Sequence, residues 1–233
     1  MKGLAAMRMA LAGESDLAFV PLVWQRLPVF VRAAAGVEFW RDVAAVARWL
    51  GEAAMVCEAD AVEVPMLPGL LSSADSAATE KAPSQLADLP EVRSMAGVVA
   101  RISAVGRTGV VVGVPGLEEL SGALPWAAEE DLEDALRDLV RAGVEAGAEA
   151  VVVRGAAGAG VERSVGAVAP LAAYYGAKVF GTDGVDCWRS EGAPSVGLLG
   201  RDGHWASLDS GVILTAGDVS DWWTADEMRA NLR

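Results

Sequence analysis

The chain has 233 residues, a formal net charge of −13 and 53% hydrophobic residues. This length can bury one large α/β core, and the excess of acid excludes nucleic acid and anionic membrane surfaces as partners, because both require clustered Lys and Arg. No apolar run approaches the roughly 20 residues of a membrane helix, and Glu14 and Asp16 argue against a signal peptide. Cys57 and Cys187 lack Cys-x-x-Cys spacing, so we predict no disulfide framework and a cytoplasmic protein.

Strand and helix patterns alternate along the chain. Short β-branched apolar runs predict strands at residues 19–24, 29–31, 61–64, 109–114, 150–153, 178–180, 196–199 and 212–213. A short amphipathic helix is predicted within residues 1–18, ending near Gly13. Apolar residues at helical spacing predict further helices at residues 39–54, 91–105, 129–146 and 165–175, and a capping box at Thr224 and Glu227 predicts a last one. Residues 67–90, rich in Ser, Ala, Asp and Pro, predict a long loop, either a lid or a disordered segment. The alternation predicts one α/β domain over residues 1–233 with a parallel sheet.

In parallel α/β folds, ligands bind where the strands end. This rule selects ionisable residues after the predicted strands: Arg32, Glu63, Arg154, Asp183, Asp186, His204 and Asp218. Asp183 and Asp186 are close enough in sequence to share one pocket and to divide the roles of acid and base, although Asp183-Gly184 is equally a turn sequence. His204 titrates near neutrality. Arg154 suits either a substrate carboxylate or phosphate, or an ion pair with a neighbouring acid.

Five tryptophans fall in predicted loops: Trp126, Trp188, Trp205, Trp222 and Trp223. Their large apolar faces suit the lining of a pocket, an interface, or packing over the strand ends. We therefore expect Trp222 to contact a substrate, or the loop tryptophans to hold a homodimer or another protein partner. A metal site built from His204, Asp183, Asp186 and Cys187 matches no established ligand spacing, so no cofactor is predicted.

Five segments occur in an order that resembles one known family. They are Met-Ala-Leu-Ala-Gly-Glu at 9–14, Asp-Leu-Pro-Glu-Val-Arg at 88–93, Leu-Val-Arg-Ala-Gly-Val-Glu-Ala-Gly-Ala at 139–148, and Gly-Val-Ile-Leu-Thr-Ala-Gly-Asp-Val-Ser at 211–220 with Glu-Met-Arg-Ala-Asn at 227–231. Together they resemble the uroporphyrinogen decarboxylase superfamily, which includes the corrinoid- and coenzyme M-linked methyltransferases. The resemblance implies a (β/α)8-type barrel, shortened here, with lyase or methyltransferase chemistry.

The chain also departs from that family's pattern. Members of the family bind substrate carboxylates with an arginine-rich loop after the first strand, and of this loop the chain keeps only Arg32. Glu63 is the acidic residue nearest to the position of the family's catalytic aspartate. The zinc-dependent members use a His-x-Cys pair, which is missing from residues 179–187. A porphyrinogen with eight carboxylates also suits so acidic a protein poorly. The family's own reactions are therefore not expected to transfer intact, and zinc or a corrinoid stays an alternative.

Three functional hypotheses follow. The favoured one is an acid–base lyase or transferase acting on a small anionic molecule, with proton transfer by Asp183, Asp186 and His204 and substrate binding by Arg32, Glu63, Arg154, Asp218 and Trp222. The second is a barrel without catalysis that acts as a binding or assembly partner, and the third is methyl transfer with a corrinoid protein. An enzyme predicts a pocket with ionisable groups at the strand ends, whereas a scaffold predicts an exposed apolar patch.

Overall fold

The computed structural model describes residues 3–14, 17–22, 39–67, 82–199 and 211–218. The strands within these ranges are β1 (Leu17–Leu22), β2 (Ala61–Pro65), β3 (Gly109–Pro115), β4 (Ala150–Arg154), β5 (Lys178–Thr182), β6 (Cys187–Arg189), β7 (Val196–Leu199) and β8 (Gly211–Asp218). The α-helices are α1 (Leu4–Leu11), α2 (Val43–Val56), α3 (Pro90–Val105), α4 (Leu117–Ala123), α5 (Glu129–Glu145) and α6 (Gly158–Tyr174). Phe39–Arg41 and Pro83–Asp88 form short 3₁₀ helices. No described helix is long and apolar enough to cross a bilayer.

The strands form two sheets that are mostly parallel, as the alternating pattern predicts. One has the order β2-β3-β4-β5-β6 and the other β1-β8-β7. All described pairings are parallel except that of β5 with β6. This exception follows from chain length, because a tight turn can reverse the chain into an antiparallel neighbour, whereas a parallel neighbour requires a long crossover. The predicted α/β class is therefore confirmed.

The two sheets share one apolar face. At the edge between them, the Asp60 amide donates to the Phe19 carbonyl at 3.0 Å, so the chain entering β2 lies beside β1. Alternate residues on both sheets pack into one buried cluster that contains Ala18, Val20, Ala61, Val111, Ala150, Val152, Phe180, Val212 and Leu214. We call this the inner face. The opposite face of the five-stranded sheet packs against the helices.

Helix α5 shows how sequence directs the helical layer. Acidic residues fill its first turn, where they complement the helix dipole. Its buried stripe includes Leu132, Leu136, Leu139 and Val140, which recur at the spacing of one helical face. The helix predicted at residues 129–146 is observed at Glu129–Glu145.

Helix α1 covers the amino-terminal edge of the strands. Met7 and Ala10 are fully buried in the inner-face cluster. The Gly3 amide donates to the Asp60 carboxylate at 2.9 Å, and the Leu4 amide donates to the Arg107 carbonyl at 3.1 Å. The helix was expected to end near Gly13, and it ends at Leu11, just before the chain turns through a positive φ of 76° at Gly13.

Several elements differ from the sequence prediction. Helix α4 was not predicted, and α6 begins at Gly158 instead of residue 165. The predicted loop at 67–90 contains a 3₁₀ helix at Pro83–Asp88, and α3 already begins at Pro90. The predicted strand at 29–31, the helix after Thr224 and residues 68–81 lie outside the described residues.

Glu149 provides a test of how α1 is attached. Its carboxylate accepts from the Val110 amide at 2.8 Å and from Arg8 of α1 at 3.4 Å. Burial raises the pKa of Glu149 above its usual value, and outweighs the opposing effects of Val110 and Arg8. The folded chain therefore holds this proton more tightly than the unfolded chain does. The contribution of protonated Glu149 to the stability of the fold is complete below the usual glutamate pKa, and it is lost as the pH rises past the raised pKa of Glu149.

We expect Glu149→Gln to change the pH dependence of stability. The free energy of unfolding of the wild type should fall relative to that of the variant as the pH rises above the usual glutamate pKa of about 4.3. Urea denaturation at a series of pH values measures this difference. Glu130→Gln, at an exposed position in the first turn of α5, is the control. Parallel curves for the wild type and Glu149→Gln would contradict the expectation.

Candidate functional site

A buried ion pair lies where the parallel strands end. Glu63 on β2 is fully buried, and Arg154, the last residue of β4, is 9% exposed. Arg154 Nε donates to Glu63 Oε1 at 2.7 Å, and Arg154 Nη2 donates to Glu63 Oε2. The bidentate geometry matches the planar guanidinium to the carboxylate. The two residues were both predicted to bind a substrate, and in the structure they bind each other. For Arg154 this is the second of the two predicted roles, an ion pair with a neighbouring acid.

Gly113 makes this pair possible. It lies on β3, between the strands that carry the two charged residues, and a Cβ atom at this position would overlap Glu63 Oε1. The Glu63 side chain therefore crosses β3 through space that only glycine leaves open. A glycine inside the apolar run of residues 110–115 is the sequence signal for such a close approach.

Arg154 also connects the two sheets. Its Nη1 donates to the backbone carbonyl of Thr215 on β8 at 3.1 Å, and Thr215 is fully buried. One guanidinium thus holds β2, β4 and β8 in a fixed relation at their carboxyl ends. Buried charges require such complete pairing, because burial of an unpaired charge is costly.

Glu119 is a second carboxylate at this edge, and the sequence prediction missed it. It lies in the first turn of α4, which begins directly after β3 and Gly116. Its Oε2 atom is buried and has no hydrogen-bond partner among the described residues. Burial raises the pKa of Glu119 above its usual value, although the Gly116 amide and the Arg154 charge oppose the shift. Glu119 therefore binds a proton more readily than an ordinary glutamate does.

Asp183 and Asp186 occupy the turn between β5 and β6. Asp183 Oδ1 accepts from the Val185 amide at 2.9 Å and from the Asp186 amide at 2.8 Å. These two amides lower the pKa of Asp183. Gly184 completes the turn with φ 89°. The geometry matches the turn alternative, and the role of both aspartates in proton transfer stays a prediction.

Cys187 and Trp188 follow this turn on β6. Burial raises the pKa of the Cys187 thiol to about 11, so the group is a neutral thiol at physiological pH. The Trp188 ring packs over Gly158 at the start of α6, where a Cβ atom would come within 2.7 Å of the ring. Trp188 thus closes one side of the strand edge by packing.

The remaining predicted site residues are only partly placed. Asp218 ends β8 and is aligned with Leu22 of β1, which places it at the same strand edge. Arg32, His204 and Trp222 lie outside the described residues. Within the described ranges, no group of three or more His, Cys, Asp or Glu side chains is arranged to hold a metal ion.

No protein-family model matches the chain, and no curated protein matches it. The resemblance to the uroporphyrinogen decarboxylase superfamily therefore stays a prediction from the quoted motifs.

Proposed function

We propose that the chain is an acid–base enzyme, a lyase or a transferase, that acts on a small molecule at the carboxyl edge of its parallel strands. Glu119 is the proton-transferring group in this proposal. The observation that carries it is the buried oxygen of Glu119, which has no hydrogen-bond partner in the described part of the chain and lies beside the Glu63–Arg154 pair. A carboxyl whose pKa is raised by burial is suited to donate or accept a proton in such a place.

The proposal includes an abbreviated α/β barrel. Its support is that β1 lies beside β2, that β6 lies beside β7, and that both sheets contribute to one inner apolar cluster. In such a barrel the strand ends face a common mouth, where side chains from different strands meet a bound molecule. Glu63, Arg154 and Glu119 then belong to one site, although they are far apart in sequence.

Arg154 has a positioning role in this proposal. Glu63 neutralises its charge and the Thr215 carbonyl binds its Nη1, so Arg154 fixes the geometry of the mouth instead of attracting an anion. The sequence predicts a substrate with an anionic group, and in this proposal Arg32 is the residue that binds that group. Asp183 and Asp186 lie at the rim as turn residues.

The test compares two adjacent glutamates of α4. Native mass spectrometry of the purified protein, followed by thermal-shift screening of small hydroxy acids, keto acids, dicarboxylates and sugar phosphates, identifies a compound to assay. We expect Glu119→Gln to lower its turnover by roughly 100- to 10,000-fold, the usual contribution of a general acid or base. Glu118→Gln, at an exposed neighbouring position, should stay near the wild-type rate. Equal turnover in the two variants would reject the assignment of Glu119.

A binding or assembly role without catalysis is the second candidate. It is favoured by exposed apolar side chains, Met55 at 60%, Val105 at 63% and Trp126 at 60%. Under this alternative no screened compound would be turned over, whereas an assembly would be detected in solution. Methyl transfer with a corrinoid protein stays a prediction from the family resemblance.

A further inference from the structure

An open groove separates part of α2 from α3 on the outer side of the molecule. The two helices touch where Val43 packs against Gly97. Elsewhere a space of about 790 Å³ lies between them. Its floor includes the buried residues Ala47 and Ile102, and its rim carries Met55 and Val105, whose side chains are strongly exposed. Apolar side chains around a groove indicate a contact surface.

The exposed face of α2 is complementary to itself in size and charge. Small Ala45 lies near its amino end and large Met55 near its carboxyl end, while Arg48 and Glu52 lie between them. If a second α2 packs antiparallel on this face, Met55 meets Ala45 of the other copy and Arg48 meets Glu52 of the other copy. Both pairs are centred on position 50 of the helix, so a single twofold axis satisfies all four contacts.

The two ends of the groove carry opposite charge, and this also favours an antiparallel arrangement of two copies. Asp42 lies at the end where α2 begins, and Arg101 and Arg107 lie toward the end where α3 finishes. Neither of these arginines has a side-chain ion pair with any described residue. A twofold axis perpendicular to α2 reverses one copy and brings the acidic end of each groove against the basic end of the other.

The Arg48–Glu52 pair within one chain does not oppose this exchange. Its Nε–Oε1 distance is 4.0 Å and both side chains are well exposed, and such surface pairs contribute little to stability. Exchange of the two pairs within the chains, one in each copy, for two pairs between copies therefore costs little. Twofold dimers with self-complementary interfaces are also the commonest oligomers.

We propose that this helix groove is the interface between two copies of the chain, with the two α2 helices antiparallel across a twofold axis near Leu50. An acidic or basic partner protein fits less well, because the groove presents both signs of charge. The proposal is independent of the enzymatic function, since the groove lies on the helical layer and not at the strand ends.

The first test is the oligomeric state measured by sedimentation equilibrium. The wild type should dimerise, and Met55→Asp should weaken the dimer by at least about 100-fold, because each dimer buries two copies of this side chain. Tyr174→Asp is the matched control, since Tyr174 is 83% exposed at the end of α6. A monomer at every concentration, or a dimer that is unaffected by Met55→Asp, would overturn the proposal whatever else binds the groove.

The second test fixes the register by oxidative cross-linking. The double variant Ala45→Cys/Met55→Cys should form a disulfide-linked dimer. Each single variant should not, because identical positions then lie about 15 Å apart across the axis. The wild-type protein is the control for cross-linking through the native cysteines, of which Cys57 is buried and Cys187 is partly buried. Cross-linking of the single variants to the same extent as the double variant would reject the antiparallel register.

Discussion

Replacement of either partner of the Glu63–Arg154 pair alone should lower the free energy of unfolding by about 3–5 kcal/mol. Glu63 is fully buried and Arg154 nearly so. Glu63→Met leaves a guanidinium in the interior without its carboxylate, and Arg154→Met leaves the carboxylate without its guanidinium. The cost in each case is that of an unpaired buried charge, which far exceeds the net value of the pair itself.

The double variant Glu63→Met/Arg154→Met separates these two quantities. It removes both charges, and the methionine side chains are flexible enough to fill the space above Gly113. We therefore expect it to recover most of the stability lost in either single variant, as measured by urea denaturation. Arg141→Met, which breaks an exposed pair with Asp138, should cost less than about 1 kcal/mol. Additive losses in the double variant would contradict a directly coupled pair.

The same pair explains why the strand edge is preorganised. Arg154 is bound from two sides, by Glu63 of β2 and by the Thr215 carbonyl of β8. These contacts hold the guanidinium in one position. In the proposed enzyme, this fixed charge lies close enough to Glu119 to oppose part of the rise in its pKa. Catalytic groups benefit from such fixed surroundings because no reorganisation is needed during the reaction.

Local sequence patterns predicted the strands of the core well, because each is a short apolar run. β3 and β4 were expected at residues 109–114 and 150–153, and they are observed at Gly109–Pro115 and Ala150–Arg154. The predicted start of α6 lies too far along the chain, because Gly158 and Gly160 disfavour a helix. In the structure a Cβ atom at Gly158 would lie 2.7 Å from the Trp188 ring, and one at Gly160 would require the Glu118 side chain to move. Such tertiary constraints are not visible in local propensity.

The candidate site was predicted less completely than the fold. The rule that ligands bind where parallel strands end selected Glu63 and Arg154. It did not predict that the two residues pair across β3, because strand register and the gap at Gly113 are properties of the assembled sheet. Glu119 was missed because α4 was missed. The available signal was Pro115-Gly116 at a strand end followed by two acids, which is typical of a helix start. Its raised pKa depends on burial, which the sequence alone does not give.

Gly143 on α5 is the second position where a small change should have a large effect. A Cβ atom there would lie 2.7 Å and 2.9 Å from the two γ-carbons of Val112 on β3. Both residues are buried between the helix and the sheet, and the β-branched valine has little rotamer freedom to move aside. Gly143→Ala should therefore destabilise the fold by about 1–3 kcal/mol, despite the better helix propensity of alanine.

The cost of this substitution should fall when the neighbour is made smaller. In the Val112→Ala background the two γ-carbons are removed and the nearest atom of residue 112 is its β-carbon at 3.1 Å, so Gly143→Ala should cost much less than it does beside valine. Gly166→Ala is the control on α6, where nothing lies within 4 Å of the added atom, and it should stabilise by about 0.5–1 kcal/mol through helix propensity. Urea denaturation of the four Gly143 and Val112 combinations measures the coupling. Equal effects of Gly143→Ala in both backgrounds would show that α5 does not pack on β3 at this distance, because only direct contact makes the cost depend on the valine side chain.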